Sequence, residues 1–275
     1  MISIVQLGTV DYATGVRLQE RLVALRKEGR IGDVLLLLEH TPVITLGRNA
    51  KAHNVLASPE ELARRGVEMF ECDRGGDVTF HGPGQLVGYP IFDLRGMKSG
   101  VEGRKSLGAV EFVRRIEEVL IRTCGELGIR TERVAGLTGV WTNPKASGAS
   151  LRLDGRDADL STPSGKVAAI GVHISRGVTS HGFALNVNTD LSYFNLIVPC
   201  GISAKPVTSI ERELGRRVEL STVEELVARS FEAVFESETR WVESLETLIE
   251  NTVGVPMRAP EPLRKMHGEQ EEFWA

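Results

Sequence analysis

The chain has 275 residues, with 33 Lys and Arg against 37 Asp and Glu, so its formal net charge is −4 at pH 7. This mild negative charge argues against bulk electrostatic binding to nucleic acid or to an anionic membrane. Three widely spaced cysteines exclude a disulfide framework and a CxxC metal pair. No apolar run approaches the roughly 20 residues of a membrane span, and the N-terminus lacks signal-peptide features, so a cytoplasmic location is expected.

The first half of the chain alternates strand and helix signals. A strand is predicted at residues 2–7, and Asp11 is a suitable N-cap for a helix that runs to about Gly29. Further strands are predicted at 33–39 and 43–46, a short helix at 59–65, and glycine-interrupted extended chain over 67–94. This alternation favours a mixed α/β fold.

The second half begins with a long amphipathic helix for which Ser106 is the predicted N-cap. Its predicted apolar stripe consists of Val110, Val113, Ile116, Leu120, Cys124 and Leu127. Strands are predicted at 138–141, 166–174 and 178–187. The capping boxes Thr208-x-x-Glu211 and Thr222-x-x-Glu225 predict two late helices.

Two segments stand apart from these regular elements. Residues 143–165 are rich in Ser, Gly, Asp and Pro and are predicted to form a long loop, and three prolines follow Gly254. Since no linker separates two halves with their own cores, we expect one mixed α/β domain, a mixed sheet flanked by helices. The expected boundaries are 1–240 for the catalytic domain, with a loop insertion at 143–165, and 241–275 for a C-terminal extension.

A glycine-rich stretch from Arg74 to Pro90 contains Arg74-Gly-Gly76 and then His81-Gly-Pro-Gly-Gln85. Glycine lacks a Cβ and lets the backbone approach a ligand closely, which suits a binding site. A hairpin with ordinary turn glycines explains the same residues. The spacing matches neither GxGxxG nor GxxxxGK[ST], so it does not indicate a nucleotide site.

Sequence context separates the three cysteines. Cys124 lies on the apolar stripe of the long helix, and Cys72 lies in an alternating strand, so packing explains both. Cys200 lies between Pro199, which fixes φ, and Gly201, which frees the following backbone. This arrangement suits a nucleophile on a preorganised bend with N–H groups available to an oxyanion.

A nucleophilic cysteine needs a nearby cation because a free thiol has a pKa of about 8.5. The candidate cations are His81, His173, His181, Lys166 and Lys205. Lys166 opens an apolar strand that carries no other charge, where burial would demand a partner. A surface lysine at a loop-to-strand junction remains an alternative.

Six motifs in one order closely resemble the lipoyl(octanoyl) transferases, which are octanoyl-carrier-protein:protein N-octanoyltransferases. They are Gly47-Arg-Asn49, Arg74-Gly-Gly76, His81-Gly-Pro-Gly-Gln85, Gly165-Lys-Val-Ala-Ala-Ile-Gly171, His181-Gly-Phe-Ala-Leu-Asn186 and Pro199-Cys-Gly-Ile202. The resemblance runs from about residue 3 to 235 and implies the fold of lipoate and biotin protein ligases. The 143–165 connection and the tail are longer than is usual in that family.

The resemblance implies roles for particular residues. Cys200 corresponds to the acyl-thioester nucleophile, Lys166 to the partner that lowers its pKa, and His181 to a supporting residue. The implied substrate-binding residues are Arg74, Gly75, Gly76, Asp77, Val78, Thr79, Phe80, His81, Ala169, Ile170, Gly171, Gly182, Phe183 and Ala184.

The implied reaction transfers octanoyl or lipoyl from acyl-carrier protein to a lysine through a thioester on the enzyme. The implied partners are octanoyl-acyl-carrier protein, the lipoyl domains of 2-oxoacid dehydrogenase complexes, and the glycine-cleavage H protein. Thioester exchange needs no nucleotide, so no cofactor and no metal are expected.

Two alternatives stay open at this point. A lipoate or biotin ligase would activate a free acid with ATP and Mg²⁺ and would need no nucleophilic cysteine. A non-catalytic carrier-binding protein would keep the fold without the chemistry. The motif Pro199-Cys-Gly-Ile202 argues against the ligase, and the presence of both Cys200 and Lys166 argues against the carrier-binding protein.

Overall fold

The computed structural model describes residues 1–143, 165–199, 206–245 and 248. The strands in chain order are β1 (Ile2–Val10), β2 (Asp33–His40), β3 (Val43–Leu46), β4 (Glu68–Glu71), β5 (Val78–His81), β6 (Gln85–Ile91), β7 (Thr131–Val134), β8 (Leu137–Thr142), β9 (Lys166–Ser175), β10 (Val178–Asn186) and β11 (Thr239–Val242). The helices are α1 (Tyr12–Lys27), α2 (Pro59–Arg64), α3 (Ala109–Glu126), α4 (Ile210–Leu214) and α5 (Leu220–Phe235).

Within the described residues, two sheets form. The main sheet has eight strands in the order β11-β1-β2-β6-β10-β9-β8-β7, and the small sheet has three in the order β4-β3-β5. β1 pairs in parallel with β2 and β11, whereas β2 with β6, β6 with β10, and β10 with β9 pair antiparallel. The predicted mixed sheet with flanking helices is therefore confirmed.

Helix α1 covers one face of the main sheet. The Asp11 carboxylate accepts the Thr14 backbone N–H at 2.9 Å, which confirms the predicted N-cap. Leu22 and Leu25 lie one turn apart on α1 and pack against one face of β2, whose side chains alternate between the two faces of the sheet.

Helices α3 and α5 cover the opposite face and contain the largest core. Ile116, Leu120 and Cys124 from α3 meet Phe231 from α5 over the inward-facing side chains of β9 and β10. Burial raises the pKa of the Cys124 thiol to about 12, so this thiol stays protonated at neutral pH. The prediction that Cys124 is a core residue is confirmed.

The small sheet joins the main sheet through the turn between β5 and β6. Its own core contains Ile44, Phe80 and Leu196. The N-terminal turn of α1 also touches it, because Tyr12 packs against Phe70. The small sheet, α1 and the main sheet therefore meet at one place.

Three predicted helix starts are wrong. α3 begins after Gly108 rather than Ser106, and Val110 is exposed instead of joining the apolar stripe. Ser209, not Thr208, caps α4. α5 begins after Glu219, ahead of the predicted Thr222 box.

The predicted domain boundaries can be compared with the structure near residues 143–165 and near residue 240. Residues 144–164 of the predicted insertion, and nearly all residues after 245, lie outside the described residues. β11 crosses the predicted boundary at residue 240 and pairs with β1 over residues 2–5. In the described ranges, none of the helices has the length and apolar character needed to cross a membrane.

Candidate active site

A small cavity of about 50 Å³ lies where the small sheet, α1 and the main sheet meet. The sequence had predicted substrate-binding or supporting roles for thirteen of its lining residues: Arg74, Gly75, Gly76, Asp77, Thr79, His81, Ala169, Ile170, Gly171, His181, Gly182, Phe183 and Ala184. Segments that are distant in sequence thus converge on one slot. Its volume is below the usual range for small-molecule pockets.

Three further lining residues were not predicted from the sequence: Tyr12, Val87 and Tyr89. Val87 and Tyr89 lie two positions apart in β6 and therefore face the same side of the sheet. The neighbouring Gly88 and Pro90 were the sequence features that could have marked Tyr89 as part of a binding site. Tyr12 carries no such signal, since the first turn of a helix gives no hint of a distant cavity.

Two predicted binding residues face away from the cavity. Val78 and Phe80 alternate with Thr79 and His81 along β5, and their side chains pack in the core of the small sheet. Phe80 stacks on Tyr193 with ring centroids 4.7 Å apart. Any contact of Val78 or Phe80 with a ligand would therefore involve backbone atoms.

The cavity wall depends on two glycines that touch backbone to backbone. Gly75 donates its N–H to the Val172 carbonyl of β9 at 3.1 Å. A Cβ on Gly171 would lie 2.6 Å from the Gly75 carbonyl oxygen. The Arg74-Gly-Gly76 turn can therefore lie flat on β9 only because both positions lack side chains.

Arg74 is a buried arginine whose guanidinium holds this turn together. It donates to the Thr45 carbonyl at 2.6 Å, the Thr45 hydroxyl at 2.9 Å and the Asp77 carbonyl at 2.7 Å. Since these donors are used within the protein, Arg74 fixes the loop and contributes positive charge to the cavity wall.

His81 is a neutral histidine at the base of the cavity. Its Nδ1 lies 2.7 Å from Gln85 Oε1, and Gln85 in turn donates to Asn186 at 2.9 Å. Burial lowers the pKa of His81 to about 3, and the nearby His40 and Arg74 add to this effect. His81 is therefore uncharged at pH 7 and is excluded as the cation that a thiolate needs.

His181 differs because it faces a carboxylate. Its Nε2 lies 2.6 Å from Asp73 Oδ1, and this hydrogen bond is the largest of the effects that hold the pKa of Asp73 below its ordinary value. The backbone of His181 has φ +55°, unusual for a residue with a Cβ, and its N–H is held by Gln19 Oε1 at 2.6 Å. The strained backbone is thus stabilised from α1.

Lys166 is buried at the first position of β9. Its Nζ lies 5.4 Å from the centroid of the Trp141 ring, within the range of a cation–π contact. Its backbone N–H donates to the Pro206 carbonyl at 2.8 Å, and its carbonyl accepts the Thr208 N–H at 3.0 Å. The alternative of a surface lysine is wrong.

Cys200 and Lys205 lie outside the described residues. The chain is described up to Pro199 and again from Pro206, the residue bonded to the backbone of Lys166. Cys72 is half-buried and directs its Sγ towards the Leu46 carbonyl at 3.4 Å, which agrees with packing. Among the described residues, no group of three or more His, Cys, Asp and Glu side chains is arranged to hold a metal.

Comparison with known sequences gives consistent matches. The profile of the lipoyl protein ligase A/B catalytic domain matches residues 11–232. An octanoyltransferase of Koribacter versatilis is 58% identical over 267 residues, which cover 97% of both chains. An octanoyltransferase of Acidobacterium capsulatum is 56% identical over 248 residues, 89% of this chain and 94% of its own.

Solved structures resemble this chain in fold. The bipartite lipoate protein ligase of Thermoplasma acidophilum has a TM-score of 0.62 at 14% identity, covering 90% of this chain and 89% of its own. A lipoate-protein ligase A bound with ATP also has a TM-score of 0.62 at 14% identity, covering 91% and 92%. At such low identity the likeness concerns the fold alone.

Proposed function

This chain belongs to the octanoyltransferases of the lipoyl protein ligase A/B family and is an acyltransferase, and we propose that it works through an acyl-thioester on Cys200. The octanoyl group moves from a carrier-protein thioester to the enzyme and then to a lysine of a lipoyl domain. The observation that carries the proposal is the convergence of the predicted binding segments on one cavity.

Lys166 is the proposed partner of Cys200. It is a buried lysine, and its backbone N–H donates to the carbonyl of Pro206, six positions after Cys200. An ammonium group near a thiol favours the thiolate and so raises its reactivity. His81 is neutral, which leaves Lys166 as the better candidate of the two.

In the first half-reaction, the Cys200 thiolate attacks the thioester carbonyl of the donor. A carbon–sulfur bond to the enzyme forms, the bond to the carrier's thiol breaks, and the departing thiolate takes a proton. One thioester replaces another, so the free energy change is near zero and no nucleotide is required. Lys166 holds the thiolate and can supply that proton.

In the second half-reaction, the ε-amine of an acceptor lysine attacks the acyl-enzyme. A carbon–nitrogen bond forms, the carbon–sulfur bond to Cys200 breaks, and the amine loses a proton to the Lys166–Cys200 pair. The amide product is more stable than the thioester, which drives the transfer.

The cavity is the proposed binding site for the acyl chain. Its walls combine the apolar side chains of Val87, Ile170 and Phe183 with bare glycine backbone. Arg74 keeps the turn in place, and His181, which is hydrogen-bonded to Asp73, lines another part of the cavity. These lining residues form the proposed slot for an unbranched chain.

The proposed partners are octanoyl-acyl-carrier protein as donor and, as acceptors, lipoyl domains of 2-oxoacid dehydrogenase complexes and the glycine-cleavage H protein. The proposed place of action is the cytoplasm. Residues 1–240 are the proposed catalytic domain, with an insertion at 143–165, and 241–275 the proposed extension.

Octanoyl transfer without ATP tests this function. The protein is mixed with octanoyl-carrier protein and an unmodified lipoyl domain, and the lipoyl domain is followed by intact mass. We expect one amide-linked octanoyl group, with no change in rate when ATP and Mg²⁺ are added. A reaction that uses free octanoate and requires ATP would instead identify a ligase, the activity that the ATP-bound neighbour suggests.

A further inference from the structure

Glu117 is a fully buried carboxylate that the proposed reaction does not use. It lies in α3, and its side chain has no exposed surface. Oε2 accepts from Arg114 at 2.7 Å and from Arg133 at 3.1 Å, while Oε1 accepts the backbone N–H of Gly139 at 3.1 Å. Burying a charge is costly unless it is paired and hydrogen-bonded, and here both conditions hold.

Gly139 connects this carboxylate to Lys166. Its φ of +122° is one that residues with a Cβ rarely adopt. A Cβ at this position would lie 2.6 Å from Lys166 Cε and 3.3 Å from Lys166 Nζ. The end of the Lys166 side chain therefore rests directly on the bare backbone of Gly139.

The pairing of β8 with β9 is irregular at this point. Val140 is opposite Ala168, whereas the next residue, Trp141, is opposite Lys166, so β9 carries one extra residue. Such a bulge re-aims the side chains beside it. The Gly139 N–H points to α3, and Glu117 is the group that receives it.

These contacts hold the backbone and the side chain of Lys166 at separate places. Its backbone is tied to Pro206 and Thr208, and its side chain lies between Gly139 and the Trp141 ring. The backbone hydrogen bonds cannot set the position of the ammonium alone, because a lysine side chain has four rotatable bonds. Gly139, which forms the surface beneath Lys166, donates its N–H to the Glu117 carboxylate.

We propose that Glu117 is a positioning residue for Lys166: by accepting the Gly139 N–H and holding Gly139 in its left-handed conformation beside the β9 bulge, it sets where the Lys166 ammonium lies. The inference rests on the proposed role of Lys166 as the partner of Cys200. Glu117 acts through the acceptor oxygen that it offers to Gly139, while its other oxygen pairs with Arg114 and Arg133. If Glu117 only joined α3 to β7 and β8, its loss would lower the stability of the protein without changing the pKa of the Cys200 thiol.

The pH dependence of alkylation at Cys200 separates these roles. The full-length protein is treated with iodoacetamide across a pH series, and the rate is followed on the Cys200 peptide by mass, so that Cys72 and Cys124 do not contribute. The midpoint of the rate profile reports the thiolate. Thermal unfolding of each variant is recorded alongside.

Glu117→Ala removes the oxygen that accepts the Gly139 N–H, and the shorter side chain of Glu117→Asp withdraws it. Both changes should raise the pH midpoint of alkylation and slow alkylation at pH 7 by roughly two- to tenfold. Glu117→Gln keeps an oxygen at the reach of Gly139 but presents an NH2 group to Arg114 and Arg133, so its midpoint should lie closer to the wild type than that of Glu117→Ala. Glu118→Ala is the matched control, because it deletes the neighbouring partner of Arg133 at 2.8 Å and leaves Gly139 untouched. It should retain the wild-type midpoint.

Two results would overturn the proposal. One is a wild-type midpoint in both Glu117→Asp and Glu117→Ala, whatever their melting temperatures. The other is a shift in Glu117→Gln without one in Glu117→Asp, which would mean that charge matters and reach does not. If Glu117→Ala does not fold, the Asp and Gln pair decides. Lys166→Ala separates this inference from the proposed function, since an unchanged midpoint there would remove Lys166 itself from thiolate activation.

Discussion

His40 and His81 are two imidazoles buried near the cavity. His40 Nε2 lies 2.7 Å from the Tyr89 hydroxyl, and His40 Nδ1 lies 2.8 Å from the Val10 carbonyl. Burial lowers the pKa of His40 to about 4 and that of His81 to about 3. Both stay neutral in the folded protein at pH values where an unfolded histidine, with a pKa of about 6.5, gains a proton.

We therefore expect the free energy of unfolding to fall as the pH falls from about 6.5 towards 4. Over that range the unfolded chain binds more protons than the folded one, and His40 alone accounts for on the order of 3 kcal/mol. Urea unfolding at a series of pH values measures this loss.

His40→Gln should flatten the pH dependence, because glutamine does not titrate. His53→Gln is the control, since His53 is exposed and should leave the slope unchanged. Equal slopes in the wild type and in His40→Gln would contradict the assignment of a depressed pKa to His40.

At the residue scale, sequence patterns predicted best where context was local. The helical stripe was enough to place Cys124 in the core. The alternation along β5 separates Thr79 and His81 from Val78 and Phe80, but the motif resemblance covers all four alike. Contacts between distant residues, such as that of His181 with Asp73, left no local signal.

Among the elements, β6 and β10 approach each other closely through glycines. A Cβ on Gly182 would overlap the Gly88 carbonyl oxygen and lie 2.6 Å from Pro90 Cδ. We expect Gly182→Ala to lower the free energy of unfolding by about 1–3 kcal/mol, because backbone atoms cannot move aside as a side chain can. It should also slow octanoyl transfer, since Gly182 lines the cavity.

Gly32→Ala provides the matched control. No atom lies within 4 Å of a Cβ built there, so the change should be neutral or slightly stabilising. Urea unfolding and transfer assays of both variants make the comparison. A Gly182→Ala protein as stable and active as Gly32→Ala would show that the close approach is not required.

Helix starts were the least predictable feature of the elements, and the reasons are specific. Thr208 does not cap α4 because its N–H pairs with the Lys166 carbonyl and its hydroxyl donates to Glu213 at 2.5 Å. Ser209 takes the capping position instead. The N-cap therefore shifts by one residue, because tertiary hydrogen bonds already occupy the first residue of the predicted capping box.

For the whole molecule, the order of motifs along the chain predicted the family and the mixed sheet. The fold then shows how motifs that lie far apart in sequence come together: β5, β6, β9 and β10 each contribute residues to the same cavity. The irregular register of β8 on β9, beside which Gly139 donates to a carboxylate of α3, left no local signal in the sequence.

The central claim, a covalent acyl-enzyme on Cys200, is tested most directly by intact mass. The protein is incubated with octanoyl-carrier protein alone, without ATP or acceptor, and its mass is measured before and after treatment with hydroxylamine. We predict one added octanoyl group that hydroxylamine removes and that the Cys200→Ser protein does not acquire in hydroxylamine-labile form. An unchanged, labile adduct in Cys200→Ser, or an adduct that forms only with ATP, would contradict the account.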